Sequence, residues 1–110
     1  MIERGELWTV SGGSGYAGKQ RPAVVVQDGR FSASNSITVC PLTSDPSDLS
    51  LLRIAISPDP KNGLKSSSRV MVDKISTVPR SRLGSQIGRL SPEDMKQLNT
   101  ALLVFLGLVR

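Results

Sequence analysis

The chain has 110 residues and 14 Lys and Arg against 9 Asp and Glu, a net charge of +5, with one cysteine and no histidine. This composition excludes Ser-His-Asp hydrolases, Cys-His proteases, His-ligated zinc sites, histidine-based ribonucleases and an intramolecular disulfide. The cationic excess favours a polyanionic partner, a nucleic acid or an acidic protein, because lysine and arginine beside phosphates release counterions.

In chain order, the polar start Met1–Glu6 lacks a signal-peptide pattern. Glu6–Val10 is predicted as a short strand with Leu7, Trp8 and Val10 as its apolar members. A Gly-rich loop follows, from Ser11 to Gly18, with the period of neither helix nor strand. Pro22-Ala23-Val24-Val25-Val26 is a β-branched run and so a buried strand, its proline at the start where a missing N–H is tolerated. Ser36–Leu42 is the next strand, and Cys40 within it reads as a small buried hydrophobe. Leu52, Ile54 and Ile56 alternate on a fourth strand. In Arg69–Asp73 the alternation turns Val70 and Val72 inward and puts Arg69, Met71 and Asp73 on the opposite face. Short strands are expected at Ile75–Pro79 and Ile87–Leu90, with Arg80 and Arg82 in a solvated turn between them.

The period then changes. Ser91-Pro92-Glu93-Asp94 has the form of a helix start, with an N-cap serine, proline at the first helical position and two acids in the positive first turn. Met95, Leu98, Leu102, Phe105 and Val109 follow at helical spacing, widened by Leu106, a stripe predicted to seal a core. The apolar stretch Ala101–Val109 is too short to span a bilayer, so no membrane partner is expected and the chain reads as cytoplasmic. Short strands, Gly/Pro/Ser turns and one terminal helix predict a mainly β small barrel, with residues 1–110 as one domain.

Three constellations have chemical potential. In Gly18-Lys19-Gln20-Arg21-Pro22 a loop brings Lys19 and Arg21 to the mouth of a buried strand, and the proline holds Arg21 extended. A guanidinium so placed can grip a phosphate through two parallel N–H bonds and stabilise charge that develops on it. In Leu42-Thr43-Ser44-Asp45 two hydroxyls sit where a strand ends; they can bond a phosphate or simply cap the turn. Arg69, Asp73 and Lys74 offer cations and a carboxylate that suit either nucleic-acid contact or a surface ion pair. The acids show no metal-ligand spacing, and Gly12-Gly13-Ser14-Gly15 lacks the lysine–hydroxyl pair of a phosphate-cradling loop.

Gly5-Glu6-Leu7-Trp8, the Gly-rich loop, Arg21–Val26 and Pro41-Leu42-Thr43-Ser44 resemble the N-terminal half of the MazF/PemK (Kid) toxins of type II toxin–antitoxin systems. Val72–Val78, Arg82-Leu83-Gly84, Ile87–Ser91 and the final helix resemble the second half, in the same order. The resemblance implies an SH3-like small barrel of the CcdB/PemK type with a C-terminal α-helix. It implies a homodimer that cleaves single-stranded RNA at short sequences, without metal or cofactor. The 2′-hydroxyl attacks the adjacent phosphate, giving a 2′,3′-cyclic phosphate and a 5′-hydroxyl. An antitoxin with an acidic disordered segment occupies the groove.

Residue by residue, the resemblance implies that Arg21 and Thr43 are catalytic. Arg21 would stabilise transition-state charge and protonate the leaving oxygen, and Thr43 would bond the scissile phosphate. Lys19, Gln20, Ser44, Arg69, Asp73 and Lys74 would contact RNA. The chain departs from the pattern in three ways: the loop glutamate of many members falls near Gly15, the histidine of the PemK/Kid branch has no counterpart, and Met71 stands where that branch has an arginine. The alternative reading is a CcdB-like, non-enzymatic poison of DNA gyrase, which needs neither Arg21 nor Thr43.

Overall fold

The computed structural model describes residues 1–12, 20–46 and 52–109. Among these, seven strands form one antiparallel sheet: β1 Glu6–Val10, β2 Arg21–Val25, β3 Ser36–Thr43, β4 Arg53–Ile56, β5 Ser68–Met71, β6 Ser76–Pro79 and β7 Leu83–Arg89. Helix α1, Pro92–Phe105, follows. The strand order is β4-β5-β3-β2-β1-β7. The first half of β3 pairs β6, through Ile37↔Val78 and Val39↔Ser76, while its end pairs β5 through Leu42↔Val70 and Thr43↔Arg69. One eight-residue strand therefore serves β6 and β5 in turn along one edge while β2 pairs its other edge, and the sheet curls about it.

Two apolar clusters lie on opposite faces of β2 and β3. Val24, Cys40 and Leu42 point to one, with Leu7, Ile56, Val70, Val72, Leu98 and Leu102. Ala23, Val25, Ile37 and Val39 point to the other, with Ile2, Val10 and Val78. Burial on both faces explains why β2 reads as a continuous apolar run instead of an alternating one. Cys40 lies wholly inside, and burial pushes its thiol up to about 12.

The ends of the strand path, β4 and β7, are joined by the segment after β4. The Arg89 N–H donates to the Lys61 carbonyl at 2.9 Å. Gly63 has φ +70°, and a Cβ there would collide with the Ile87 carbonyl. A Cβ on Gly88 would likewise strike the backbone of Lys61 and Asn62. Two glycines thus allow the backbones to touch where the barrel closes.

Asn62 holds that segment in shape. It is wholly buried, and its Oδ1 accepts from the N–H of Asp59 (3.1 Å) and Leu64 (3.0 Å), while its Nδ2 donates to the Ser57 carbonyl (2.8 Å). The Asp59 carboxylate accepts in turn from the N–H of Lys61 and Asn62, both at 2.8 Å. Each of these backbone groups would otherwise lack a partner within the loop.

The helix start is as the sequence predicts, with the Ser91 hydroxyl accepting from the Asp94 N–H at 3.1 Å and Pro92 in the first turn. The apolar stripe does not all pack inward. Leu98 and Leu102 are buried and Met95 half-buried, but Phe105, Leu106 and Val109 are exposed, and so are Leu103, Val104 and Leu108. The helix ends at Phe105 and overhangs the barrel, so its last turn and the residues after it have no core to enter. A second difference lies in the last strand: β7 spans Leu83–Arg89, longer than Ile87–Leu90, because β1 pairs along it with two register shifts.

Candidate functional site

Arg21 opens β2, and Thr43 closes β3. The two strands pair antiparallel with Ala23 opposite Pro41 and Val24 opposite Cys40. Extending that register by two residues sets Arg21 against Thr43. Thr43 is in turn the direct partner of Arg69 on β5. Arg21, Thr43 and Arg69 therefore fall in a row at three adjacent strand ends, Thr43 and Arg69 as direct partners and Arg21 two residues beyond the Ala23–Pro41 pair.

Two clefts open along this row. A cavity of about 200 Å³ is lined by Thr43, Ser44, Ala55 and Arg69. Its neighbour, about 370 Å³, is lined by Arg21, Gln20, Thr9 and Lys65 over an apolar floor of Pro22, Leu42, Leu64 and Ile87. Both share Ser44 and Ser68 at their rims. Arg21 and Ser44 are exposed, whereas Thr43 is half-buried. The Thr43 Oγ1 accepts from the Asp45 N–H at 3.2 Å, so the hydroxyl also caps the turn that follows. Its own proton is left to donate elsewhere. Gln20 rests against Gly84, where a side chain would collide with the Thr9 hydroxyl. Arg21 makes no side-chain hydrogen bond or ion pair among the described residues.

Asp73 and Lys74 are placed differently from the expectation. Strand β5 stops at Met71, and Val72–Lys74 turns as a single 3₁₀ turn, so Asp73 does not continue the face of Arg69 and Met71. Its carboxylate is ion-paired to Arg53, whose side chain is almost buried. Val72 enters the core as the alternation required, but the Ile75 N–H donates to the Val72 carbonyl at 3.2 Å and closes a turn in place of a longer strand. Lys74 is exposed on this turn, and neither it nor Asp73 lines the two clefts. Lys19 and the Gly-rich loop positions around Gly15 lie outside the described residues.

The structure adds Lys65 and Ser66, exposed at the mouth of the larger cleft, and Ser68, buried, whose hydroxyl donates to the Ser66 carbonyl at 3.0 Å. The sequence held one signal for them, the Asn62-Gly63 turn dipeptide just ahead of Lys65. It did not tell which strand that turn would cross.

Other features lie apart from the row. A groove of about 550 Å³ runs between the end of α1 and the chain around Val26, Thr38 and Ile75, and is lined also by Leu102, Leu103, Leu106 and Leu108. It is largely apolar, and its one charged lining residue, Arg4, donates to the Val26 carbonyl at 2.7 Å. Near the far end of β2 the Arg30 backbone N–H and guanidinium hold the Asp28 carboxyl below its usual range. Among the described residues no three carboxylate or thiol side chains gather as a metal-binding group. Among the described residues no helix is long and apolar enough to cross a membrane.

The geometry can be set beside known proteins. A family model described as PemK-like, MazF-like toxin of type II toxin-antitoxin system matches residues 3–106. A probable endoribonuclease MazF of Mycolicibacterium smegmatis is 47% identical over 107 residues, covering 97% of this chain and 98% of the relative. The endoribonuclease MazF9 of Mycobacterium tuberculosis is 32% identical over 117 residues, covering 98% of each. Among solved structures, a mycobacterial endoribonuclease in complex with its cognate antitoxin superposes with a TM-score of 0.79 at 22% identity, over 100% of this chain and 99% of that one. A MazE–MazF structure from Deinococcus radiodurans gives 0.77 at 21% identity, over 96% and 95%.

Proposed function

This chain belongs to the PemK-like, MazF-like toxin family of type II toxin–antitoxin systems, and from that premise we propose that it is an endoribonuclease toxin that cleaves single-stranded RNA at the Arg21–Thr43 row. The observation that carries the reading is the placing of a guanidinium and a hydroxyl at the ends of two paired strands, beside clefts that share Ser44 and Ser68. Both side chains stand on strands packed on both faces, so little of their positional freedom has to be lost when RNA binds.

In the reaction the 2′-oxygen of the upstream ribose attacks phosphorus and gives up its proton, and the bond to the 5′-oxygen of the next nucleotide breaks. The products are a 2′,3′-cyclic phosphate and a 5′-hydroxyl, whose oxygen gains a proton. Arg21 binds the non-bridging oxygens and offsets the charge that grows on them. Thr43 donates its hydroxyl to the same phosphate while its lone pair keeps the Asp45 turn closed. Cleavage needs no metal and is selective for a short sequence, with Ser44, Arg69 and Gln20 reading the bases and sugars around the phosphate. Lys19 also contacts RNA, and Asp73 and Lys74 act on more distant parts of the strand.

The protein is a homodimer whose second copy covers the exposed apolar end of α1, and this is the part of the surface with most to gain from burial. Its other partner is an antitoxin with an acidic disordered segment, which suits the +5 charge. The endoribonuclease names of the two relatives favour this reading over gyrase poisoning.

The test is incubation of the purified protein with mixed-sequence RNA in EDTA, with products mapped at their ends. Cyclic phosphate and 5′-hydroxyl termini at a recurring sequence are expected, and none with Arg21→Ala. Intact RNA at high concentrations of the folded wild-type protein, or a block of supercoiling without RNA loss, contradicts the reading.

A further inference from the structure

The cleft beside Arg21 has two cationic sides. One is Arg21 itself on β2; the other is Lys65, on the segment between β4 and β5. Pro22, Leu42, Leu64 and Ile87 add apolar lining, and among the described residues no carboxylate lines the cavity. Its size of about 370 Å³ lies in the range of small-ligand sites. Two cations lining one cleft together with apolar side chains suit a unit with more than one anion and a flat ring, as in one nucleotide of a single strand with its two flanking phosphates.

The Lys65 side is fixed, not loose. The Asn62 amide locks Ser57, Asp59 and Leu64, and the Arg89-to-Lys61 bond ties the same segment to β7. On the far side the Ser68 hydroxyl holds the Ser66 carbonyl. Lys65 is thus an exposed ammonium between two anchored points, with its backbone already ordered. A cation presented this way gives up less freedom on binding than one on an open loop.

We infer that Lys65 is a substrate-binding residue for RNA that holds the phosphate one nucleotide away from the scissile one, with Asn62 as the residue that positions it. The inference rests on the endoribonuclease reading above. An ammonium is a compact charge with three donors, so it grips phosphate without selecting a base. Lys65 therefore contributes to affinity and to salt dependence, and leaves the chemical step and the cleaved sequence alone.

The probe is a single-stranded RNA oligonucleotide carrying the mapped cleavage sequence, in two forms: all-ribose for turnover, and with a 2′-deoxy sugar at the scissile nucleotide for binding. With Lys65→Gln the Kd for the deoxy form rises about three- to tenfold, and the slope of log K against log salt falls by about 0.7, the loss of one phosphate contact on a single strand. At saturating RNA, kcat stays within twofold and the cut site does not change; Lys65→Arg restores the Kd. Asn62→Ala, verified as folded by circular dichroism, raises the Kd similarly and adds nothing to Lys65→Gln in the double variant. An unchanged Kd and salt slope in Lys65→Gln, with a wild-type enzyme that cleaves normally, overturns the assignment alone. A wild-type protein that binds neither oligonucleotide and cleaves no RNA overturns the parent reading and this one with it.

Discussion

Thr43 and Arg69 are direct cross-strand partners at the end of the β3–β5 pair, so a hydroxyl and a guanidinium leave the sheet on the same side. The hydroxyl has a second duty, as acceptor from the Asp45 N–H. Thr43→Ala removes both functions, whereas Thr43→Ser keeps both. Thr43→Ala is expected to lower kcat about a hundredfold with KM within threefold, the pattern of a contact made in the transition state. Thr43→Ser should retain most activity. Steady-state kinetics on a fluorogenic RNA separates the two variants, and equal losses in both would assign the effect to the methyl group.

Arg21 stands one strand further along the same row. Arg21→Ala is expected to reduce cleavage by about a thousandfold, as for removal of a donor aimed at developing charge. Arg21→Lys should recover little, because an ammonium lacks the planar two-pronged geometry. The side chain is exposed and without a bonding partner among the described residues, so melting temperature and sedimentation should match wild type. A large loss of stability would refute a purely catalytic role.

Asn62 is wholly buried, with three hydrogen bonds to the backbone of its own loop. Asn62→Ala leaves the Asp59 and Leu64 N–H groups and the Ser57 carbonyl unpaired, at a cost of about 2–4 kcal/mol. Urea denaturation should show the midpoint falling with little change of slope.

The outline of the fold was legible because β2, β3 and the helix start follow rules of local pattern. The Arg21-Pro22 strand start and the Ser91-Pro92 cap both lie where the sequence sets them. Asp73 was misplaced because alternation carries no notice of where a strand stops; β5 ends at Met71 and Val72–Lys74 turns instead, two residues short of the expected end. Phe105 and Val109 were misplaced because a helical stripe does not tell where the surface beneath it runs out. Lys65 went unseen because its meaning depends on the loop crossing to β7, a contact distant in sequence.

The overhanging end of α1 makes the association state measurable. Sedimentation of the wild-type protein should give a dimer, and Leu106→Glu should shift it to monomer by placing a charge in the apolar surface. Leu106 is exposed, so circular dichroism of the variant should remain that of a folded chain. A wild-type monomer at all concentrations would remove the second copy from the proposal.

Cys40 gives a check on the interior. Its thiol is buried, and burial pushes its pKa up to about 12, so the reactive thiolate is scarce at neutral and mildly alkaline pH. Iodoacetamide at pH 8 should leave the folded protein unlabelled and modify it in guanidinium, as mass spectrometry would read. Since the folded value lies above the unfolded one, the thiol favours the folded state below about pH 8.5, and that advantage fades as pH rises toward 12. Cys40→Ala should lack this alkaline decline.

The locked segment from Ser57 to Leu64 divides the larger cleft between two independent makers. One bank is cut from strands packed on both faces, where a change at a buried position such as Leu42 disturbs the core. The opposite bank hangs from a self-contained buckle, so the exposed positions 65 and 66 can be exchanged while the buckle stays shut. The grip on RNA in this chain can therefore be tuned by changes on one shore while the chemistry on the other stays put.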